Sequence, residues 1–246
     1  MIRAALRTMV GRRGSFWGGS GTVLVVTAIV VVVVWIVHIH DSAGHPSIGG
    51  QTMLDATSSV LVILGVVVAI LIGALAGSYD VAQGTMRYLL MTGASRFEIY
   101  GARIVATVLA VWLALAPAVL LAVLATILLP HTAIDGVSSS ATAKVVWAVV
   151  LGSAVFALIS MAVGSLLRSN GAAIAVALVI NVALTPLLAL LGAWNHTIAD
   201  LTLPLVLIRL TGGNTSVSLP LAAVSLALWM GAFLTVGFAR TYRDEY

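Results

Sequence analysis

Six uninterrupted apolar runs, at about residues 20–39, 58–77, 104–129, 145–167, 171–194 and 219–239, dictate what this chain can become. A helix needs roughly 20 residues to cross a hydrocarbon core, and each run is near or above that length. In lipid every backbone amide must find its partner inside the structure, so only helices or a closed barrel can span. The runs are continuous rather than alternating, which selects helices. Even the valine-rich stretch Ile29–Val34, a strand former in water, reads as helix because lipid penalises open backbone groups. Composition agrees: 61% of the 246 residues are hydrophobic, 8% are charged, and the mean hydropathy is +1.15. A water-soluble domain of this length has too small an interior to hide so much apolar surface. The expectation is an all-α integral membrane protein, a single domain over 1–246 with six transmembrane helices.

Charge then sets the orientation. Ten of the twelve Lys and Arg residues, Arg3, Arg7, Arg12, Arg13, Arg87, Arg96, Arg103, Arg168, Arg240 and Arg243, fall on one side if the amino terminus is cytoplasmic. Only Lys144 and Arg209 fall on the other. With loops this short the positive-inside rule applies, giving a multi-pass protein with both termini cytoplasmic. The formal charge of +4 therefore reports topology, and no nucleic-acid partner is implied. The absence of cysteine removes disulfides, thiol catalysis and thiolate metal sites. The run Thr22–Val37 leads into His38, Ile39, His40 and Asp41 with no small-x-small cleavage pattern, so it reads as a retained first span. Ahead of it, Arg3 and Arg7 lie four residues apart, with Ile2, Leu6, Met9 and Val10 on another side. Residues 1–18 thus read as an amphipathic elbow feeding the first span, against the plainer reading of a basic tail that only sets orientation.

Ionisable residues at depth usually mark function in a bilayer. Here Asp41, Asp55, Asp135 and Asp200 fall in outer loops, Asp80 and Glu98 inside, and Asp244 and Glu245 in the tail. The intramembrane polar residues are mild: Ser153, Ser160, Asn181 and Thr185. Asn181 has two readings, an interhelical hydrogen bond or a group lining a pathway, and Thr185 and Ser160 share them. Gly73 and Gly77 form GxxxG, and Ser160 with Gly164 forms a second small-xxx-small pair, spacings that permit close helix packing. Pro117 and Pro186 can bend their spans. His38, His40 and His45 lack ligand spacing and read as solvated loop histidines, so no metal is expected. Within the outer segment 195–218, the apolar piece Leu201–Leu210 is too short to cross. It reads as a re-entrant or interfacial helix, or as one packed on the outer ends of the spans.

The most polar stretch, 78–103, joins the second and third spans on the inner side. Asp80 reads as the cap or start of a short helix reaching about Met91, with Met86, Leu89 and Leu90 on an apolar side and Arg87 available to an acceptor. Thr92-Gly93-Ala94-Ser95 reads as a turn, with Ser95 capping a helix that opens at Arg96 and carries Glu98 in its first turn. A cytoplasmic hairpin so placed is tied directly to two spans.

At Asp80, Gly84-Thr85, Arg87, Leu89-Leu90 and Ser95-Arg96 the chain resembles the membrane subunits of the ABC-2 family of ATP-binding-cassette transporters. Aspartate stands here for that family's usual glutamate, and Gly93-Ala94 for its proline-containing turn. The resemblance implies an ABC-2, type V exporter-like architecture: an elbow, a coupling helix after span two that docks on a separate ATPase, and a re-entrant segment before span six. It implies an exporter permease of the bacterial inner (plasma) membrane, with membrane lipid and a second permease copy or a similar permease as partners. Two ATPase subunits would bind ATP and Mg, and this chain would hold no cofactor. No GxxxxGK[ST] loop is present, and the glycine-rich stretch Gly11–Gly21 lacks lysine, so the chain is not itself an ATPase. Hydrophobic or amphipathic substrates suit an apolar pathway. Three other readings compete: an ion-coupled secondary carrier, disfavoured by the lack of a mid-depth carboxylate; a membrane enzyme, for which no catalytic grouping is evident; and a scaffold that docks a partner without moving cargo.

Overall fold

The computed structural model describes residues 2–11, 13–40, 48–82, 93, 95–130, 138–167, 169–180, 202–213, 215 and 217–243. Helix α1, Ile2–Val10, is followed by a π-helical turn, Arg13–Trp17, that runs straight into α2, Gly18–His40. Then come α3, Gly50–Ala82, α4, Arg96–Leu128, and α5, Ser139–Leu166. A shorter helix α6, Asn170–Ile180, precedes α7, Leu203–Leu210, and α8, Leu219–Arg243. Among the described residues α2, α3, α4, α5 and α8 are each long and apolar enough to cross a membrane. The chain is an all-α, multi-spanning membrane protein. α6 covers the first part of the run at 171–194; the rest of that run, with Asn181, Thr185 and Pro186, lies outside the described residues.

Helices overshoot the apolar windows, and this corrects several sequence expectations. The second helix begins at Gly50 and ends at Ala82, well beyond 58–77 on both sides. Asp55 accordingly lies in the second turn of α3 rather than in a loop, and its Oδ1 accepts from Gln51 Nε2 at 2.7 Å. Asp80 falls in the last turn of α3, and the short helix expected from it to about Met91 lies, from position 83 on, outside the described residues. The third helix starts at Arg96 with no break near 104, and it continues through Pro117. The fourth opens at Ser139, where Ser138 accepts the Ala141 amide at 3.2 Å as N-cap, so Lys144 sits inside it. The physical reason is common to all: apolarity measures where lipid is, whereas a helix propagates as long as its amides find carbonyls four residues back, in lipid or in water.

The core is built around α5, which is buried without interruption from Ile159 to Ser165. Its main partner is α3, and glycine makes their approach possible. A Cβ on Gly73 would run into the Ala157 carbonyl, and one on Gly77 into the Met161 carbonyl and to within 2.7 Å of the Ser165 nitrogen. From the other side, a Cβ on Gly164 would strike the Ala74 carbonyl. Gly73 and Gly77, four apart, meet Ala157 and Met161, also four apart in the same order, so the two helices cross in parallel with backbone against backbone. The two small-residue pairs found separately in the sequence are one contact. α8 closes on α5 by the same device: a Cβ on Gly237 would sit 2.6 Å from Tyr100 Oη and 3.0 Å from Ala162 Cα.

Polar side chains in this core mostly satisfy themselves. The hydroxyls of Thr27, Thr57, Ser78, Thr107, Thr126 and Ser165 each donate to the carbonyl four residues back, at 2.7–2.9 Å. A Ser or Thr that bonds its own turn can be buried in lipid without a distant partner. Ser160 is the exception: it is fully buried, yet its Oγ has no hydrogen-bond partner among the described residues.

The glycine contact yields a prediction. Alanine is the better helix former by about 1 kcal/mol, yet Gly73→Ala or Gly77→Ala forces α3 and α5 apart and should lower stability in detergent, with an overpacking cost of about 1–3 kcal/mol. Gly101→Ala, where a Cβ meets nothing within 4 Å, should be neutral or stabilising. Equal melting temperatures for Gly77→Ala and Gly101→Ala would show that the close crossing is not what holds the pair.

Candidate functional site

Ten of the twelve cations belong by sequence to one end of the bundle, here the basic end. Two chain features build its described part: the start of α4 and the finish of α8. Ser95 opens α4 with extended backbone, φ −70° and ψ 148°, and its hydroxyl accepts the Glu98 amide at 3.2 Å. Glu98 Oε2 accepts the Ser95 amide in return at 3.0 Å, completing a capping box. Gly93 precedes it at φ +81°, a left-handed conformation that a β-carbon disfavours. The turn, cap and helix start expected from Thr92–Glu98 are therefore present where Gly93, Ser95 and Glu98 are described.

Arg96, the first residue of α4, does something the sequence did not announce. Its Nη1 donates to the Thr241 carbonyl at 3.0 Å and to the Tyr242 carbonyl at 2.7 Å. Carbonyls in a last turn lack amide partners and carry the negative end of the helix dipole, so a guanidinium is well suited to hold them. Aromatic rings reinforce the junction: Phe97 and Phe238 meet edge-on at 6.0 Å between centroids, and Tyr100 and Phe238 at 5.6 Å. Tyr100 Oη donates to the Leu234 carbonyl at 3.2 Å, one turn before Phe238 in α8. The start of α4 thus grips about the last three turns of α8.

The other side of the polar stretch is anchored too. The one hydroxyl proton of Ser78 is shared between Asn170 Oδ1 and the Ala74 carbonyl of its own turn, each at 2.9 Å, tying the end of α3 to the start of α6. α1 lies nearby against α4, with Met9 buried, Ala5, Leu6 and Val10 packed on the core, and Arg3 and Arg7 exposed. The residues between these anchors, including Gly84, Thr85, Arg87, Leu89 and Leu90, lie outside the described residues, as does the side chain of Asp80. Of the residues singled out for docking, Ser95 caps α4 and Arg96 is brought together with α8, a partner no local pattern reveals.

The opposite end carries its own construction. α7 packs chiefly against α8 and meets α5 towards its two ends: Leu203 and Leu207 join a cluster with Val155 and Ile159 of α5 and with Leu226, Trp229 and Met230 of α8, while Trp147 Nε1 donates to the Leu210 carbonyl at 3.3 Å. From Trp147 to Val155 is about 12 Å of helix, which is also the length of the eight-residue α7. The helix ends in a Schellman motif: the Gly213 amide donates to the Ile208 carbonyl at 2.8 Å and the Gly212 amide to the Arg209 carbonyl at 3.2 Å, with Gly212 at φ +89°. A cavity of about 360 Å³ lies between α3, α5 and α7, and a second of about 630 Å³ between α4 and α5. Both are lined mainly by apolar side chains.

A scan against protein-family models finds none that matches the chain, and a search of curated proteins finds no match either. The site's meaning therefore rests on its geometry and on the residues themselves.

Two substitutions separate the parts of the junction. Ser95→Ala removes the cap and should cost about 1 kcal/mol of stability. Arg96→Gln should leave α4 intact but raise amide exchange in residues 239–243 specifically. If exchange there is unchanged in Arg96→Gln, the guanidinium does not hold the end of α8.

Proposed function

We propose that this chain is the membrane-spanning permease subunit of an ATP-driven transporter of the ATP-binding-cassette class, resembling the ABC-2 exporters. The observation that carries the reading is the anchoring of both ends of the polar segment 78–103: Ser78 to α6 at one side, and Ser95 and Arg96 to α4 and α8 at the other. A segment held this way moves its helices when it is pushed, which is what a dock for an external motor requires. The motif Asp80, Gly84-Thr85, Arg87, Leu89-Leu90 within that segment supplies the resemblance.

In this reading the chemistry belongs to the partner. Two ATPase subunits bind ATP and Mg and close on each other; the docked segments follow, and the bundle shifts between inward- and outward-open arrangements. This chain contributes no covalent step. A second permease copy, or a similar permease, completes the pathway, and the apolar faces of α2 and α8 that remain exposed, such as Ile29, Val33, Leu221 and Leu228, are available to it or to lipid. The elbow α1 lies in the cytoplasmic interface of a bacterial plasma membrane, α7 dips into the outer half of the bilayer and returns, and the cargo exported is hydrophobic or amphipathic.

Two experiments test this. Affinity purification in mild detergent, with an ATPase assay on the complex, should recover a nucleotide-hydrolysing partner that Arg87→Glu loses while the variant stays folded. A clean complex without such a partner overturns the transporter reading in favour of a carrier or scaffold. Orientation is read separately. The chain has no cysteine, so Gly14→Cys, in open space, and Ser139→Cys can be labelled singly by an impermeant thiol reagent. Label should reach position 139 from outside and position 14 only after permeabilisation; the reverse pattern would invert the topology.

A further inference from the structure

The two cations placed opposite the basic end converge on one turn. Lys144 is exposed on α5, and its aliphatic stem lies against Gly212, with Cε 3.3 Å from the point a Cβ there would occupy. Arg209 is half-buried in the last turn of α7, and its Nη1 reaches the Gly213 carbonyl at 3.5 Å. Its Nε is shut off from solvent and has no hydrogen-bond partner among the described residues. Thr215 Oγ1, two residues beyond the same turn, is in the same condition. A buried donor left without an acceptor costs about 1–3 kcal/mol, and more when it is charged. Two such atoms in one short segment, beside a second cation, call for an anionic acceptor.

Next to these groups runs the cavity of about 360 Å³ between α3, α5 and α7. Leu61 and Gly65 line it from α3, Gly152 and Phe156 from α5, and Leu207 and Ile208 from α7. Thr211, which also borders it, is the residue before Gly212, so the slot opens at the turn that carries the cations. It runs along α5 from Ala148 to Phe156, about 12 Å of helix. Its volume falls within the range of roughly 300–1,000 Å³ typical of sites for small organic molecules. Positive charge at the mouth and an apolar slot behind it describe the two halves of an anionic amphiphile.

We propose that this is a binding site for a phospholipid with an anionic headgroup, its phosphate held by Lys144 and Arg209 and one acyl chain lying in the slot between α3, α5 and α7. A free phosphate would use only the mouth; a zwitterionic lipid brings the same phosphate and chain, but Lys144 and Arg209 repel its quaternary ammonium, so the site favours a headgroup with net negative charge. The assignment is independent of any ATPase partner, because it uses only groups within this chain.

The test uses the purified full-length chain in detergent, with phosphatidylglycerol, phosphatidylcholine of the same acyl chains, or inorganic phosphate added, and bound lipid read by native mass spectrometry. Wild type should prefer phosphatidylglycerol over phosphatidylcholine by about tenfold or more, as loss of a charge-assisted hydrogen bond implies. The double variant K144Q/R209Q should bring the two lipids to parity. R3Q/R7Q, which removes the same charge from the basic end, should keep the preference. Gly152 has open space where a Cβ would stand, so G152L should fold normally, fill the slot and weaken both lipids; its melting temperature without lipid checks that it folds. The proposal is overturned if wild type shows no preference, if K144Q/R209Q retains it, if R3Q/R7Q abolishes it equally, if inorganic phosphate competes as well as the lipid, or if a folded G152L binds unchanged.

Discussion

Backbone contact between α3 and α5 is the constraint on which the rest of the bundle depends. Helices in lipid gain nothing from hiding apolar side chains from one another, because the solvent is as apolar as they are. Association must come from close packing and from polar contacts, and both improve when the backbones touch. Gly73, Gly77 and Gly164 remove the side chains that would prevent this, and Ala157 and Ala74 face them with the next smallest. Once this pair is set, Ala173 and Ala177 of α6 pack with Ile70, Ala74 and Val163, and α8 settles on α5 through Gly237. Small residues recur at each contact, which is what an interface built on dispersion alone requires.

The same solvent drives polar recognition to the two ends. Inside the bundle, most buried Ser and Thr hydroxyls donate to carbonyls of their own turns, while Ser160 Oγ has no partner among the described residues. At the basic end a guanidinium binds carbonyls that α8 cannot satisfy itself, and a capping box does the same for the amides of α4. At the other end a Schellman motif closes α7, and the amides of Ile48 and Gly49 share the Pro130 carbonyl at 3.1 and 2.9 Å, fastening the chain before α3 to the end of α4. The capping box and the Schellman motif meet the orphan groups of their own helices, whereas the Arg96 and Pro130 contacts join one helix end to another. The termini therefore double as the joints between helices.

Which parts of this were legible in the sequence follows from the range of the interaction involved. The Ser95–Glu98 capping box and the Thr211-Gly212-Gly213 stop are local, and their residue types at those spacings announce them. The spans were legible as apolar runs, but their ends were not, since nothing in hydropathy says where backbone bonding stops: α3 gains residues at both ends, taking in Asp55 and Asp80. GxxxG and small-xxx-small were visible as spacings. That Gly73, Gly77 and Gly164 meet in one crossing is a tertiary fact, because spacing specifies a face and not its partner. Arg96 reaching carbonyls some 145 positions away, and Lys144 meeting the turn after Arg209, had no local signal at all.

Arg96 also decides how a push at the basic end would travel. Its Nη1 sits on the last carbonyls of α8 while its own backbone begins α4, so the two helices share one charged joint. Tyr100 and Phe238 pack directly behind it, and a Cβ at Gly237 would meet both Tyr100 and Ala162, which leaves no slack between α4, α8 and α5 at this level. A displacement of the start of α4 must then either break two charge-assisted hydrogen bonds or carry the end of α8 with it. Moving together is the less costly course, because the broken alternative strands a half-buried guanidinium and two terminal carbonyls beside an aromatic cluster. α8 in turn packs along α5 and α7 through Leu226, Trp229, Met230 and Phe233, which puts it in direct contact with the helix whose last turn carries Arg209. Among the described residues the two ends of the molecule are thus connected through α8, by the Arg96 joint at its finish and by lateral packing on α7 in its middle.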